Sequence, residues 1–246
     1  MADSGVDLDL LAAGYRHRPA SETSRARAVR AAAGLSPGSR VLDIGGGCGG
    51  HAAVWAGRGL QAVVLDRSAY MLATVPDEVM SVQGDGLRAP FRDGAFRLVL
   101  YHLAIHYLPA EQALREAFRL LTPQGRLWIW TMTPPAVRRS HLARWFPRVA
   151  DIDGERFVDS AELNRAVVAA GFRINTEEPE VEWRETTAGE WMDAAAQRFV
   201  STLQLLTDAE LAAGLRAFGS EHRTRREKVR YPLRFHVVGA SKPQLR

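Results

Sequence analysis

A run of glycines and three acids stand in this sequence where a nucleotide-type cofactor can be held. The stretch VLDIGGGCGG, residues 41–50, places Asp43 inside a short apolar run and follows it at once with glycines. Glycines directly after a strand let the backbone approach a ligand with no Cβ in the way. Asp66 closes the next apolar run, about twenty residues beyond the turn, where a carboxylate can accept the hydroxyl protons of a ribose. Gly84-Asp85-Gly86 follows a third run. His102 and His106 stand just beyond a fourth, in YHLAIHYLP, and an imidazole there can take a proton from a poor nucleophile. On a helical turn the two would share a face.

Taken alone, the glycine turn is ambiguous. Gly45, Gly47 and Gly50 satisfy the dinucleotide fingerprint, whereas Gly45, Gly47 and Gly49 satisfy the tighter spacing of S-adenosylmethionine sites. The series after Gly86 separates the two: Leu87, Pro90, Phe91, Asp93, Gly94 and Phe96 form a pattern that a dinucleotide site does not require.

These residues resemble the class I S-adenosylmethionine-dependent methyltransferases of the ubiquinone-biosynthesis-like group, methyltransferase type 11. The likeness covers residues 41–131 and continues weakly to the late run FHVVGASKP. It implies S-adenosyl-L-methionine as cofactor and S-adenosyl-L-homocysteine as product. It implies that Asp43, Gly45, Gly47 and Gly49 border the methionine portion, that Asp66 holds the ribose with Arg67 beside it, and that Asp85 and the backbone of Gly86 read the adenine edge. Tyr101 joins the cofactor-binding set. Tyr15 belongs to an amino-terminal segment that folds over the cofactor in similar enzymes, where an aromatic face favours a sulfonium. Arg97 departs from the family's aspartate at the start of the fourth strand, a change expected to affect surface pairing more than binding.

The implied reaction moves a methyl group in line to an O, N or C nucleophile of a small molecule, possible secondary metabolites included. Positioning alone can supply roughly 7–11 kcal/mol. Ionising a phenol at pH 7 costs roughly 4 kcal/mol, so a base helps there and is needed less for an amine. His102 and His106 are the candidates. His106 coincides with a histidine common in the family, and His102 stands where small residues are usual.

The elements that must position these residues alternate. Helix is expected over 21–34, strand over 41–44, helix over 50–58, strand over 61–65, helix over 68–74, then strands over 79–83 and 96–101. A helix over 110–121 and a strand over 125–131 follow. Alternation of this kind predicts a parallel sheet covered by helices on both faces, and the resemblance makes it a Rossmann-like α/β fold with a mostly parallel seven-stranded sheet. After residue 131 an irregular, proline-containing excursion is expected, then a helix from Asp159 to Gly171, strands near 172–174 and 181–183, two helices between 191 and 218, and a last strand over 234–239. Thr207 with Glu210 carries a capping-box signature.

The working organisation is one domain over residues 1–246, with segments 1–24, 134–158 and 184–228 expected to form helical lid insertions. Of the 246 residues, 46% are hydrophobic, which is ample for a core. A single cysteine, Cys48, excludes an intramolecular disulfide, a multi-cysteine zinc site and a radical-enzyme iron-sulfur cluster, and no metal is expected. No apolar run reaches the roughly 20 residues of a membrane span, and the acidic start does not read as a signal peptide, so a cytoplasmic protein, monomer or homodimer, is expected. The formal charge of +4 and the basic run at 222–230 raise an RNA-modifying methyltransferase as a rival. The residues after the fourth strand lack the Pro-Pro-Tyr step of nucleobase amine methylases, which argues against nucleic acid. A nicotinamide oxidoreductase and a cofactor-binding protein without methyl transfer are the other rivals.

Overall fold

The computed structural model describes Val6 and residues 22–244. In chain order the elements are α1 (Glu22–Ala31), β1 (Arg40–Ile44), α2 (Gly50–Ala56), β2 (Gln61–Asp66), α3 (Ala69–Leu72), β3 (Met80–Gln83), β4 (Phe96–His102), a 3-10 turn (Ile105–Tyr107), α4 (Ala110–Leu120) and β5 (Leu121–Thr131). Then come α5 (Pro134–Arg138), α6 (His141–Trp145), α7 (Pro147–Arg156), α8 (Ser160–Ala169), β6 (Arg173–Thr187), α9 (Ala188–Ala196), α10 (Ser201–Gln204), α11 (Asp208–Glu221) and β7 (Lys228–Ser241).

The seven strands form one sheet in the order β3-β2-β1-β4-β5-β7-β6. The pairs among β1 to β5 are parallel, and β7 runs antiparallel to β5. This is the mostly parallel, Rossmann-like α/β arrangement the alternation predicts. Parallel strands need a crossover, and the amphipathic α4 supplies one by burying Ala113, Leu114, Ala117 and Leu120. β2 reads as an unbroken apolar run because Ala62 to Leu65 are all buried, as central parallel strands require. Leu42, Ile44, Val63, Leu65, Phe96 and Val99 belong to the core cluster beneath the strand ends.

The described residues divide into two compact units, one of residues 22–131, 158–178 and 236–244 and one of residues 132–157 and 179–235. Among the described residues, no helix is long and apolar enough to cross a membrane.

Several elements differ from the sequence expectation for identifiable reasons. The excursion after residue 131 is three short helices, α5 to α7. Its prolines read as breakers, but Pro134 and Pro147 begin α5 and α7, where the missing N–H has no helical partner to lose. Ser140 caps α6 by accepting a hydrogen bond from the Ala143 amide at 3.1 Å. The two short strands expected near 172–174 and 181–183 are one strand, β6, which runs through Pro179. Its place at the end of the strand order tolerates a residue that cannot donate. The last strand begins at Lys228 and takes in part of the basic run. The helical stretch after Trp191 breaks between α9 and α10, where Arg198 takes a positive φ of 52°. The Thr207–Glu210 capping box is formed: the Glu210 amide donates to the Thr207 hydroxyl at 3.2 Å, and the Glu210 carboxylate accepts from the Thr207 amide at 2.8 Å.

In the smaller unit the helix-spaced aromatics make a core. Trp191 and Phe218 stack with centroids 4.1 Å apart, and Trp145, Phe146 and Leu203 complete the cluster. His141 joins it, stacked on Tyr231 at 4.5 Å, and its Nε2 accepts from Trp145 Nε1 at 3.3 Å. Burial, seconded by the charges of Arg144 and His222, pushes its pKa down to about 4. The unfolded chain titrates this group near 6.5, so the unfolded state binds more protons between those values. His141 therefore contributes no penalty above about pH 6.5 and destabilises the fold as pH falls toward 4. The melting temperature of the wild type should fall more steeply than that of His141→Phe between pH 7 and 4, measured by thermal denaturation.

Candidate functional site

The parallel register sets Asp43 beside Val64 on β2 and Leu100 on β4, and Asp66 beside Gln83 on β3. The carboxyl ends of these strands therefore share one edge, where ligands bind in open α/β sheets. The glycine turn is fastened to that edge. The Gly45 amide donates to the Leu65 carbonyl at 2.7 Å, and the Gly84 amide to the Asp66 carbonyl at 2.9 Å.

Two glycines of the turn are required by close approach. Gly45 has φ 70°, and a Cβ on it would lie 2.6 Å from that of Ala104. A Cβ on Gly46 would stand 2.7 Å from Asp43 Cγ and 2.8 Å from its Oδ2. The turn thus rests its backbone on the Asp43 carboxyl group.

Asp66 is the fixed point of the site. Its Oδ2 accepts from the Gly47 amide and its Oδ1 from the Ser68 amide, both at 2.9 Å. Its pKa is raised, first by burial and then by the charge of Asp43, while the backbone donors act the other way. Arg67 leaves its side chain exposed and uses its carbonyl to accept from Gln83 Nε2 at 3.0 Å. Asp85 is half-buried and accepts from the Leu87 amide at 2.9 Å. Added Cβ atoms would strike Leu65 Cδ1 from Gly84 and Ile44 Cγ2 from Gly86, each at 2.9 Å, so this loop lies against the ends of β2 and β1. Arg119 on α4 straps the following loop, donating to the Phe91 carbonyl at 2.8 Å and to Asp93 at 2.7 Å.

Tyr101 is fully buried, and its hydroxyl donates to the Ala113 carbonyl of α4 at 3.0 Å. Burial pushes its pKa far up, and the ring belongs to the interior packing. Tyr15 lies outside the described residues. His102 ends β4, opposite Trp130, while His106 sits in the 3-10 turn with its ring 4.2 Å from that of Tyr107. Leu103, at φ 51°, separates them, so they share no helical face. Arg97 is exposed, as expected at the far end of its strand.

The sequence reading missed two residues. Arg27 of α1 is only 3% exposed, and its Nη1 lies 3.1 Å from His102 Nε2. A guanidinium can only donate, so that nitrogen accepts and the ring proton belongs on Nδ1. His51 opens α2 with Nδ1 3.5 Å from Asp43 Oδ2 and its ring 4.5 Å from that of His102. The available signal was a histidine on a helix face otherwise apolar, beside Ala52 and Trp55.

A family model described as a methyltransferase domain matches residues 42–129. The demethylmenaquinone methyltransferase of Mycolicibacterium vanbaalenii is 32% identical over 184 residues, which are 66% of this chain and 78% of that protein. The chain belongs to the class I S-adenosylmethionine-dependent methyltransferases. Among solved structures, a methyltransferase from Bacillus halodurans C-125 aligns with a TM-score of 0.63 and 20% identity, covering 90% of this chain and 100% of that one. The phosphoethanolamine N-methyltransferase 2 of Haemonchus contortus, in complex with S-adenosyl-L-methionine, aligns with a TM-score of 0.60 and 20% identity over 91% of this chain and 53% of that one. These two likenesses show a shared fold.

The residues of this methyltransferase fit its cofactor. S-Adenosyl-L-methionine carries a sulfonium and an ammonium, and the edge presents Asp43, 1% exposed with neither carboxylate oxygen accepting a hydrogen bond from the described residues. A cationic ligand group beside it would relieve that buried charge. The side-chain-free glycine turn leaves room for close backbone approach. Gly46→Ala should weaken S-adenosylhomocysteine binding about tenfold or more, measured by calorimetry, because overpacking against Asp43 costs roughly 1–3 kcal/mol.

Proposed function

We propose that this methyltransferase alkylates an O, N or C nucleophile of a small-molecule acceptor by in-line displacement. The cofactor supplies an electrophilic methyl group, made so by its sulfonium. Asp66 is the ribose acceptor, Asp85 and the Gly86 backbone read the adenine edge, and Asp43 with the glycine turn borders the methionine portion. The observation that carries this reading is the convergence of two acids on one glycine turn, the half-buried Asp66 bonded to the Gly47 amide and the buried Asp43 beneath Gly46. Such preorganised acceptors match hydroxyl and ammonium donors without further rearrangement.

The small-molecule acceptor is supported by what the relatives are named for: demethylmenaquinone in Mycolicibacterium vanbaalenii and Mycobacterium marinum, and geranyl diphosphate in a structural neighbour of 17% identity. A demethylated naphthoquinol is therefore the first acceptor to try. Within the basic run, Arg225 pairs with Asp193 at 2.5 Å, Lys228 with Glu185 at 2.9 Å and His222 with Glu227 at 2.9 Å, which lowers the positive charge those three groups present. In the same proposal the chain acts as one catalytic domain, and segments 134–158 and 184–228 select the acceptor.

His102 and His106 are proposed to handle the acceptor's proton where its nucleophile is poor. Because His102 Nε2 already accepts from Arg27, His102 serves more readily as an Nδ1–H donor than as a base, which leaves His106 the better base.

Two measurements test this reading. Asp66→Ala should weaken S-adenosylhomocysteine binding by roughly tenfold to a hundredfold, the worth of hydrogen bonds to a charged group. Replacing His102 and His106 together with glutamine should abolish turnover of a phenolic acceptor while leaving cofactor affinity nearly intact. Unchanged turnover would remove both histidines from the reaction, and absent cofactor binding in the wild type would remove the whole site.

A further inference from the structure

The polar group least accounted for by the fold is the Asp43 carboxylate. It is 1% exposed, lies under the glycine turn and accepts no hydrogen bond among the described residues. The charge of Asp66 opposes it. A buried carboxylate in that position needs a donor to satisfy its oxygens and to fix its orientation.

The polar side-chain nitrogen placed beside it is His51 Nδ1, 3.5 Å from Oδ2. That separation is longer than a hydrogen bond by a few tenths of an ångström, so a small settling of the turn closes it. The rest of the His51 ring is set among packing groups. It sits on the buried face of α2 with Ala52 and Trp55, and Nε2 is buried with no hydrogen-bond partner among the described residues. An apolar side chain would satisfy that helix face without leaving a buried nitrogen. The imidazole is explained by its other nitrogen.

We propose that His51 is a positioning residue for the cofactor, its Nδ1–H holding Asp43 Oδ2 so that Oδ1 faces the cationic methionine end of the ligand. The inference rests on the reading that Asp43 borders that end. With a carboxylate at Nδ1, the neutral tautomer carries its proton there. His102, whose ring lies 4.5 Å away, is set in the matching tautomer by Arg27. Among the described residues, His51 is approached by Asp43 from β1 and His102 from β4, and His102 in turn by Arg27 from α1.

The test separates the two ring nitrogens. Asparagine places an amide donor near the position of Nδ1, whereas glutamine reaches toward Nε2. Binding of S-adenosylhomocysteine is measured by calorimetry on the full chain, with circular dichroism to confirm folding. His51→Leu and His51→Gln should each weaken binding about tenfold, and His51→Asn should stay within about threefold of the wild type. In an Asp43→Ala background, which removes both acceptor oxygens, His51→Leu should cost no further affinity, because the interaction it removes is already absent. Wild-type affinity in His51→Leu, or equal losses in His51→Asn and His51→Leu, would overturn the inference while leaving the proposed function standing. A wild type that binds no S-adenosylhomocysteine would overturn both.

Discussion

The site depends on a pair of hydrogen bonds from backbone amides to one carboxylate. Asp66 stands at the end of β2 and receives the Gly47 amide from the turn after β1 and the Ser68 amide from its own turn. This fastens two strand exits to each other in a partly buried place, where burial raises the Asp66 pKa and neutral donors act against that rise. The parallel register of β1 against β2 makes the bond possible, since it sets Ile44 beside Leu65 at the same level of the sheet. A slip of one residue between the two strands would put Asp43 and Asp66 on opposite faces of the sheet.

Charge is graded across this edge. On one side are the acids Asp43 and Asp66, repelling each other at close range. On the other is Arg27, a buried guanidinium whose donation to His102 fixes that imidazole's tautomer. Between them His51 approaches Asp43 through its Nδ1 and His102 through its ring. The arrangement suits a ligand with positive charge toward the acids, and it makes the tautomers of two histidines a consequence of their neighbours.

The α4 helix holds the periphery of the site in register. The Tyr101 hydroxyl bonds to the Ala113 carbonyl, joining the end of β4 to the helix. Arg119 grips the loop that carries Phe91 and Asp93, with Glu116 bonded to both Arg119 and the Ala89 amide. Lys242, just past β7, donates to the Phe118 and Leu121 carbonyls at 2.7 and 2.8 Å, satisfying groups a helix end leaves open. The loop bearing Gly84, Asp85 and Gly86 is therefore braced from a helix about thirty residues later in the chain, a contact that no local pattern announces.

What the sequence by itself determined is local: the glycine turn after β1, the acids at the ends of β2 and β3, the alternation of strands and helices, and the Thr207–Glu210 cap. Each is written within a few residues, through a missing Cβ, a hydrophobic period or a side chain that bonds its own backbone. Tertiary structure decided whatever depends on which surfaces meet. Pro179 lies in a strand because β6 is at the edge, and Pro134 and Pro147 start helices instead of ending structure. The Tyr101 ring packs in the interior because the α4 carbonyl that satisfies its hydroxyl is there. Arg27 meets His102 across 75 residues, and His51 meets Asp43 only because α2 folds back onto the sheet edge. Burial and pairing of this kind are properties of the packed chain, and a one-dimensional pattern marks at most a residue out of place, never the partner it will meet.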